Sequence, residues 1–400
     1  MNQSLSVVPV ESKNSTTAHT IVDKQQQIIK QLIILGLELL LALPFGVVLS
    51  RFNVGGVAWI FGGIASGAAV LQTTRIFYNY CPKPNRTARK IGMALVGLNV
   101  GFAIARSNLA NVAFGIPVFV FLTLFLLLCG SLIGYIYSRL SKTNLLTAML
   151  ATVPGGVGPM SAIAADYGRN VTLVSLVQAL RVTCVVFLIP LVVRIFHPGG
   201  LIYPQARSIK AALFSLYGVD LQLLFGALLL GGLGVYLAVL CKVPAGDFFG
   251  ALLVGIVFNP LLQWLHFFGD VHFSPPLLVN LLGQMLLGIT IGEYWGDKPN
   301  LDKKPVAYAL MSVAMTLATG AIATMLAMQI TSWDWLTCLL VTAPGGSAEM
   351  ILVALALNHN VEIVTAGHLV RLIAINSSLP LWLVMFRFLE ERTKEPFSNS

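Results

Sequence analysis

Long apolar runs separated by short polar stretches dominate this chain from residue 31 to residue 387. Ten of the runs approach the length of about 20 residues that a helix needs to cross a bilayer. The predicted spans are 31–49, 54–73, 88–107, 112–138, 170–195, 222–240, 246–265, 276–296, 305–329 and 361–387. The pattern predicts an all-α polytopic membrane protein with polar tails at residues 1–30 and 388–400.

Two further apolar stretches, 144–165 and 335–357, each carry a Pro-Gly-Gly sequence near the centre. A shift of 190 positions relates residues 152–190 to residues 342–380, with eleven identities in 39 gapless positions. The identities include Thr152 and Thr342, Pro154-Gly155-Gly156 and Pro344-Gly345-Gly346, and Arg181 and Arg371. Proline removes a backbone donor and paired glycines relax the backbone, so the helix is predicted to break there.

The duplication predicts a chain of two membrane repeats, residues 31–210 and 211–387, each with five spans and one broken segment. Glycines spaced by four, which allow helices to approach closely in lipid, support it. They occur as Gly92-x4-Gly97-x3-Gly101 and, at an offset of 191, as Gly283-x4-Gly288-x3-Gly292. We interpret these glycines as packing positions.

Positive charge predicts how the broken segments lie in the membrane. Of the 25 Lys and Arg residues, two lie near the middles of spans, which leaves 23 in tails, in loops and at the ends of spans. Segments that cross completely divide these charges 16 to 7, whereas segments that turn back divide them 18 to 5. Because positive charge marks the cytoplasm, the pattern favours ten crossings, two re-entrant hairpins, inverted repeats and both termini in the cytoplasm. A broken helix that crosses completely stays open as the alternative.

Interrupted helices at matching positions of two halves mark the substrate site in duplicated transporters. The predicted site contains the shared threonines, Pro-Gly-Gly sequences and arginines, together with Gln178, Ser347, Glu349 and His368. Gln178 and His368 each precede an arginine by three residues, which places each pair on one helix face. An arginine at mid-bilayer costs at least ~3 kcal/mol. Each is therefore expected either to bind an anion or to be satisfied by carbonyls of the neighbouring hairpin.

Glu349 follows the second Pro-Gly-Gly, where the first repeat has Pro159. A carboxylate at membrane depth can carry a proton or sodium, because desolvation favours its neutral form. The alternative is a static ion pair with Arg371 or Arg181.

Composition supports a membrane protein, since 56% of residues are hydrophobic and 10% are charged, against about 25% charged in soluble domains. The net charge of +9 is explained by cytoplasmic loops rather than by nucleic-acid binding. Five single cysteines and six dispersed histidines form no disulfide framework or metal motif, and no catalytic motif is present. No enzyme activity, cofactor or metal site is predicted, and Glu38 and Glu293 receive no predicted role.

These motifs closely resemble those of the AbrB duplication family of bacterial membrane proteins. The family pattern has Pro-Gly-Gly, Met and Gln-x-x-Arg in the first half, then Pro-Gly-Gly-x-x-Glu-Met and His-x-x-Arg. This chain supplies Pro154-Gly155-Gly156, Met160, Gln178 and Arg181, then Pro344-Gly345-Gly346, Glu349, Met350, His368 and Arg371. The resemblance covers nearly all of residues 31–387. It implies a place in the cation-proton antiporter and anion transporter superfamily, with inverted repeats and crossed discontinuous helices.

Members of that family carry two functional labels, ammonia monooxygenase and regulator of gene expression. The first needs a metal cluster that the histidines do not supply. The second has no direct DNA-binding mechanism here, because tails of about 30 and 13 residues are too short for a folded domain. We therefore predict a secondary transporter of the bacterial inner membrane that moves a small solute or ion, with proton or sodium coupling. The alternative is a non-transporting sensor that regulates gene expression indirectly. Membrane lipid is the expected surrounding, and a homodimer is left open.

Overall fold

The computed structural model describes residues 12–51, 55–79, 84–107, 110–196, 221–265, 273–294 and 303–394. These residues form 14 α-helices and no β-strand. The helices are α1 (Ser12–Arg51), α2 (Ala58–Tyr78), α3 (Arg86–Ile104), α4 (Ala110–Ser141), α5 (Leu145–Thr152), α6 (Val157–Asp166), α7 (Val171–Phe196), α8 (Leu221–Leu240), α9 (Gly246–Leu265), α10 (Leu277–Glu293), α11 (Lys303–Ile330), α12 (Trp335–Thr342), α13 (Ser347–Ala356) and α14 (Val361–Lys394). The predicted all-α fold is confirmed.

Seven of the described helices are long and apolar enough to cross a membrane, namely α1, α4, α7, α8, α9, α11 and α14. They indicate a multi-pass membrane protein. The other three predicted spans, 54–73, 88–107 and 276–296, correspond to α2, α3 and α10, which fall outside this set. All three are rich in glycine and largely buried. Helix α10 is apolar but has only 17 residues, whereas α2 and α3 have charged residues near one end.

The first and last helices extend beyond their predicted spans. Helix α1 begins at Ser12 rather than at residue 31, and α14 continues to Lys394 rather than ending at residue 387. No Pro or Gly occurs between Ser12 and Lys30, so no strong helix breaker interrupts the polar segment. The predicted repeat boundary at 210/211 lies outside the described residues, as do residues 1–11 and 395–400 of the tails.

The described helices form two groups. One group is a row in which successive contacts follow the order α1, α2, α10, α3, α9 and α8. The other group contains α4 to α7 and α11 to α14. In the row, α2 contacts α10 and α3 contacts α9, so each half of the chain packs against the other half. Helix α13 contacts α3, which brings the second short-helix pair against the centre of the row.

Glycines allow this close contact within the row. A Cβ atom at Gly97 of α3 would collide with the carbonyl oxygen of Phe248 in α9. At the matching place in the second half, a Cβ atom at Gly288 of α10 would collide with the carbonyl oxygen of Ile60 in α2. The predicted packing role of these two glycines is confirmed.

Replacing Gly97 with alanine is expected to destabilise the protein, because the added methyl group overlaps the α9 backbone. Overpacking of this kind costs about 1–3 kcal/mol. The matched control is Gly226→Ala in α8, where no atom lies within 4 Å of the added Cβ atom. Thermal unfolding of the purified variants in detergent measures the difference. Equal unfolding temperatures for the two variants would contradict the close α3–α9 contact.

Candidate functional site

Each Pro-Gly-Gly sequence lies between two short helices. Helix α5 ends at Thr152 and α6 begins at Val157, while α12 ends at Thr342 and α13 begins at Ser347. The corresponding bounds differ by 190 positions in every case. At Gly156 the backbone has a φ of 85°, in the region that glycine adopts readily. We call α5–α6 the first hairpin and α12–α13 the second hairpin.

The first short helix of each hairpin begins with the same kind of cap. The Asn144 side-chain oxygen accepts a hydrogen bond from the Leu146 N–H at 3.0 Å. The Asp334 carboxylate accepts one from the Leu336 N–H at 3.2 Å. Both side chains satisfy backbone donors that a helix start leaves free. The two hairpins therefore begin in the same way although the capping residues differ.

The two ends of the second hairpin meet. Asp334, before α12, lies 2.8 Å from His359 Nε2, after α13. Asn360 donates to the Thr337 hydroxyl at 2.7 Å. Burial acts to raise the pKa of the Asp334 carboxyl, but hydrogen bonds from Thr337 and His359 and the His359 charge lower this pKa overall. A lowered carboxyl pKa stabilises the fold above the unfolded-state pKa. That contribution is lost as pH falls through the folded-state value, so acid weakens this contact.

The ends of the first hairpin meet through a third residue. Arg169, after α6, forms an ion pair with Glu390 of α14 at 3.2 Å. Asn144, before α5, donates a hydrogen bond to the other oxygen of the same carboxylate. Glu390 therefore holds both ends of the first hairpin on one side of α14.

Arg181 of α7 is buried against the end of α5, with 1% of its surface exposed. Its Nη1 donates to the Thr152 carbonyl at 3.0 Å, and its Nη2 donates to Gln178 Oε1 at 2.6 Å. Gln178 Nε2 in turn donates to the carbonyls of Leu150 and Val153, each at 2.9 Å. The Gln178–Arg181 pair thus satisfies the carbonyls that α5 leaves free where it ends.

Arg371 of α14 has the same arrangement at the end of α12. Its Nη1 donates to the Ala343 carbonyl at 2.8 Å, and its Nη2 lies 2.5 Å from His368 Nδ1. His368 Nε2 lies 3.0 Å from the Leu340 carbonyl. A guanidinium only donates and a carbonyl only accepts, so His368 is neutral and carries its hydrogen on Nε2. In this tautomer the imidazole donates to a carbonyl of α12 and accepts from Arg371. The Gln178 amide likewise donates to a carbonyl of α5 and accepts from Arg181.

Both guanidinium groups contact the C-terminal ends of short helices, where the helix dipole is negative. This matches the structural alternative stated for the two arginines. The Arg181 and Arg371 charges also repel each other, which places the two guanidinium groups within electrostatic range. Neither arginine forms an ion pair with a carboxylate of the residues that the structure describes. Arg181 Nε has no hydrogen-bond partner. The result is a buried region of positive charge between the hairpins.

The remaining shared residues hold the hairpins in place. Four of them contact glycines of the long helices α4 and α11. The contacts join the Thr152 hydroxyl to the Gly130 carbonyl at 3.0 Å, the Thr342 hydroxyl to the Gly320 carbonyl at 3.5 Å, Pro154 to Gly130, and Pro344 to Gly320. Gly155 and Gly345 pack on Met160 and Met350. Gly156, Gly346 and Ser347 are half-buried at the start of the second short helices.

Glu349 lies in the first turn of α13 with 8% of its surface exposed. Its carboxylate folds back over Gly346, at the positive end of the helix dipole. It forms no ion pair with Arg371 or Arg181, so the predicted alternative of a static pair with either arginine is wrong. Its favourable charge partner is Arg89 of α3.

Arg89 is a site residue that the sequence analysis missed. Its Nη1 lies 3.7 Å from the position of a Cβ atom at Gly158, in the first turn of α6. Its charge also interacts with Tyr294 after α10, with Glu349 in the first turn of α13 and with Asp247 in the first turn of α9. In the sequence, Arg89 and Lys90 look like ordinary positive charges at a cytoplasmic helix end. Only the contact between α3 and the hairpins identifies Arg89.

The seven apolar helices and the paired hairpins place this chain in the class of multi-pass helical membrane proteins. A family profile described as "Transition state regulatory protein AbrB" matches residues 59–387. The chain therefore belongs to the AbrB family, and the family resemblance of its motifs is confirmed.

Two curated relatives match most of the chain. "Uncharacterized protein YhjN" of Bacillus subtilis (strain 168) is 25% identical over 376 residues, which cover 88% of this chain and 93% of the relative. "Putative regulator AbrB" of Escherichia coli (strain K12) is 26% identical over 293 residues, which cover 72% of this chain and 80% of the relative. No solved structure gives a significant match.

The equivalence of Gln178 and His368 predicts that His368→Gln keeps the stability of the protein, because an amide can both donate to the Leu340 carbonyl and accept from Arg371. His368→Leu leaves these buried groups without partners, at about 1–3 kcal/mol for each. Gln178→Leu is the matched variant in the first hairpin and is expected to cause a similar loss. Thermal unfolding in detergent compares them. A His368→Gln variant as unstable as His368→Leu would contradict the equivalence.

Proposed function

We propose that this protein is a secondary transporter that moves a small solute or ion across the bacterial inner membrane by alternating access. The observation that carries the proposal is the pair of helix interruptions at matching positions, each bound by a buried arginine from the following long helix. Interrupted helices of this kind form substrate sites where two repeats meet. The proposed site is the space around the starts of α6 and α13, with Arg89 and Glu349 at its wall. No catalytic role is proposed for any of these residues.

The hairpin ends support a re-entrant arrangement. Asp334 and His359 are in direct contact across the second hairpin, and Glu390 binds both ends of the first. A segment that crossed the bilayer completely would have ends about 30 Å apart. If each hairpin begins and ends on the same side of the membrane, each half has five crossings. The second repeat is then inverted relative to the first. Together with the charge count, this supports cytoplasmic positions for both termini.

This topology predicts which loops are accessible from the same side. Single cysteines at Ser141 and Asp166 should react with a membrane-impermeant reagent from the cytoplasmic side. Cysteines at Ser332 and Asn358 should react from the outer side. Each cysteine is introduced into a variant that lacks the five native cysteines. Comparison of labelling in intact cells with labelling in inside-out vesicles shows on which side of the membrane each residue lies. Reaction of residues 141 and 166 from opposite sides would remove the re-entrant arrangement.

The charges near the hairpins favour an anionic solute. Arg181 and Arg371 are buried and form no ion pair with a carboxylate in the described part of the chain, and Arg89 lies near the first turns of α6 and α13. Both first turns point N–H groups and the positive end of a helix dipole in this direction. Glu349 is the one acidic side chain among the predicted site residues, and Arg89 opposes its charge and that of Asp247 of α9. A small organic anion therefore fits this site better than a cation does.

The second candidate function is a membrane sensor that binds a ligand at the same site and signals to a partner. The family description and the name of the Escherichia coli relative favour it, because both contain a regulatory term. Regulation through a transported metabolite would reconcile the two functions. Direct DNA binding is not proposed, and lipid and a small solute remain the proposed partners.

A thermal-shift screen followed by flux measurement tests the proposal. Small carboxylates are compared with their uncharged amides, and the carboxylates are expected to raise the unfolding temperature of the purified protein. The same compounds are then offered to proteoliposomes with an imposed proton or sodium gradient. Accumulation supports a transporter, and binding without accumulation supports the sensor. A protein that neither binds nor moves any of these solutes contradicts the anion site.

Glu349→Gln is the variant that tests coupling within this assay. Glutamine mimics the protonated carboxyl permanently, so exchange of substrate should continue while gradient-driven accumulation stops. Glu362→Gln, at a half-buried position in the first turn of α14, is the matched control and should behave as the wild type. Wild-type accumulation by Glu349→Gln would exclude Glu349 as the coupling carboxylate.

A further inference from the structure

Glu38 lies deep in the protein although it belongs to a helix that faces lipid. It is near the middle of the candidate span Gln26–Arg51, and 1% of its surface is exposed. Its neighbours Leu37 and Leu40 are exposed, at 49% and 68%, so Glu38 alone of the three points into the protein. Ionisable residues in the middle of a membrane span are costly and commonly functional.

Neither carboxylate oxygen of Glu38 has a hydrogen-bond partner among the residues for which the structure gives side chains. The carboxylate of Glu293, at the end of α10, repels that of Glu38 across the α1–α10 contact. On the parts of α1 and α2 whose side chains the structure describes, the basic residues are Lys30, Arg51 and Arg75, and no ion pair joins any of them to Glu38. A buried carboxyl with these surroundings does not remain ionised, because nothing compensates the charge.

Glu293 differs from Glu38 in having one fixed donor. Its Oε2 accepts a hydrogen bond from the Asn85 N–H at 2.9 Å, at the start of α3. This bond favours the ionised form of Glu293, whereas no such bond supports ionised Glu38. The pair is therefore arranged to carry one negative charge and one proton.

We propose that Glu38 and Glu293 together bind one exchangeable proton, which makes them a proton site separate from the two hairpins. Uptake of one proton from water neutralises the second carboxylate, and release returns that proton to water. A sodium ion would need several oxygen ligands at this pair, and a sodium-dependent unfolding temperature distinguishes it from a proton.

Tyr294 connects this proton site to the second hairpin. It follows Glu293 in the chain and lies within electrostatic range of Arg89, Glu349 and Glu293. A change in the charge of the Glu38–Glu293 pair therefore alters the electrostatic potential at Arg89 and Glu349. As a coupling device the pair depends on the transporter function proposed above, whereas proton binding itself does not.

Infrared spectroscopy of the purified protein tests proton binding without a substrate. At neutral pH the wild type should show the C=O stretch of a protonated carboxyl group, and Glu38→Gln should lose that band. Glu38→Asp should keep the band at a shifted frequency, and Glu362→Gln should leave it unchanged. Because the glutamine and aspartate variants differ little in size from glutamate, an unchanged elution profile checks that they fold.

A spectrum of Glu38→Gln identical to that of the wild type would overturn the proposal. So would a sodium-dependent rise in unfolding temperature that Glu38→Gln abolishes in the absence of a protonated-carboxyl band. Loss of the band together with loss of gradient-driven accumulation in proteoliposomes supports both proton binding and coupling. Loss of the band with normal accumulation supports the proton site and overturns its coupling role. If the wild type transports none of the solutes, the transporter function is contradicted, and the infrared spectra still test proton binding by themselves.

Discussion

The structure around the hairpins depends on one constraint, which is that a helix interrupted inside apolar surroundings leaves backbone carbonyls that need donors. Arg181 and Arg371 supply those donors, and each is held by a side chain one helical turn earlier. The long helices α7 and α14 must therefore lie against the ends of α5 and α12. That requirement fixes each hairpin beside the long helix that follows it. The closed ends at Asp334 and at Glu390 then complete each hairpin.

The distribution of charge follows from the same constraint. Because carbonyls rather than carboxylates satisfy the arginines, the buried acidic groups are free to lie elsewhere. Glu349 faces Arg89, and Glu38 faces Glu293 across the row of helices. The two arginines place positive charge near the hairpins, whereas the Glu38–Glu293 pair lies at the contact between α1 and α10. Tyr294, directly after α10, is within electrostatic range of Glu293 and also of Arg89 and Glu349.

Much of the hairpin geometry could be predicted because it is local. Proline and glycine break a helix wherever they fall in such a sequence, and the three-residue spacing before each arginine follows from helical periodicity. The three spans assigned to α2, α3 and α10 were harder to judge. Their helices exist, but their glycines serve contacts with other helices, so their hydropathy reflects protein neighbours as well as lipid. The start of α1 at Ser12 was missed because polar residues can continue a helix beyond the bilayer.

The sequence by itself determined the duplication, the breaks, the paired side chains on one helix face and the family, since each depends on residues close together in the chain. Only the tertiary structure decided which partner each charged group has. Arg89 and Glu349 are 260 positions apart, and Glu38 and Glu293 are 255 positions apart. Electrostatic interactions act through space, and no periodic pattern in a sequence records which helices become neighbours. The choice between Arg371 and Arg89 as the partner of Glu349 therefore required the packing of α13 against α3.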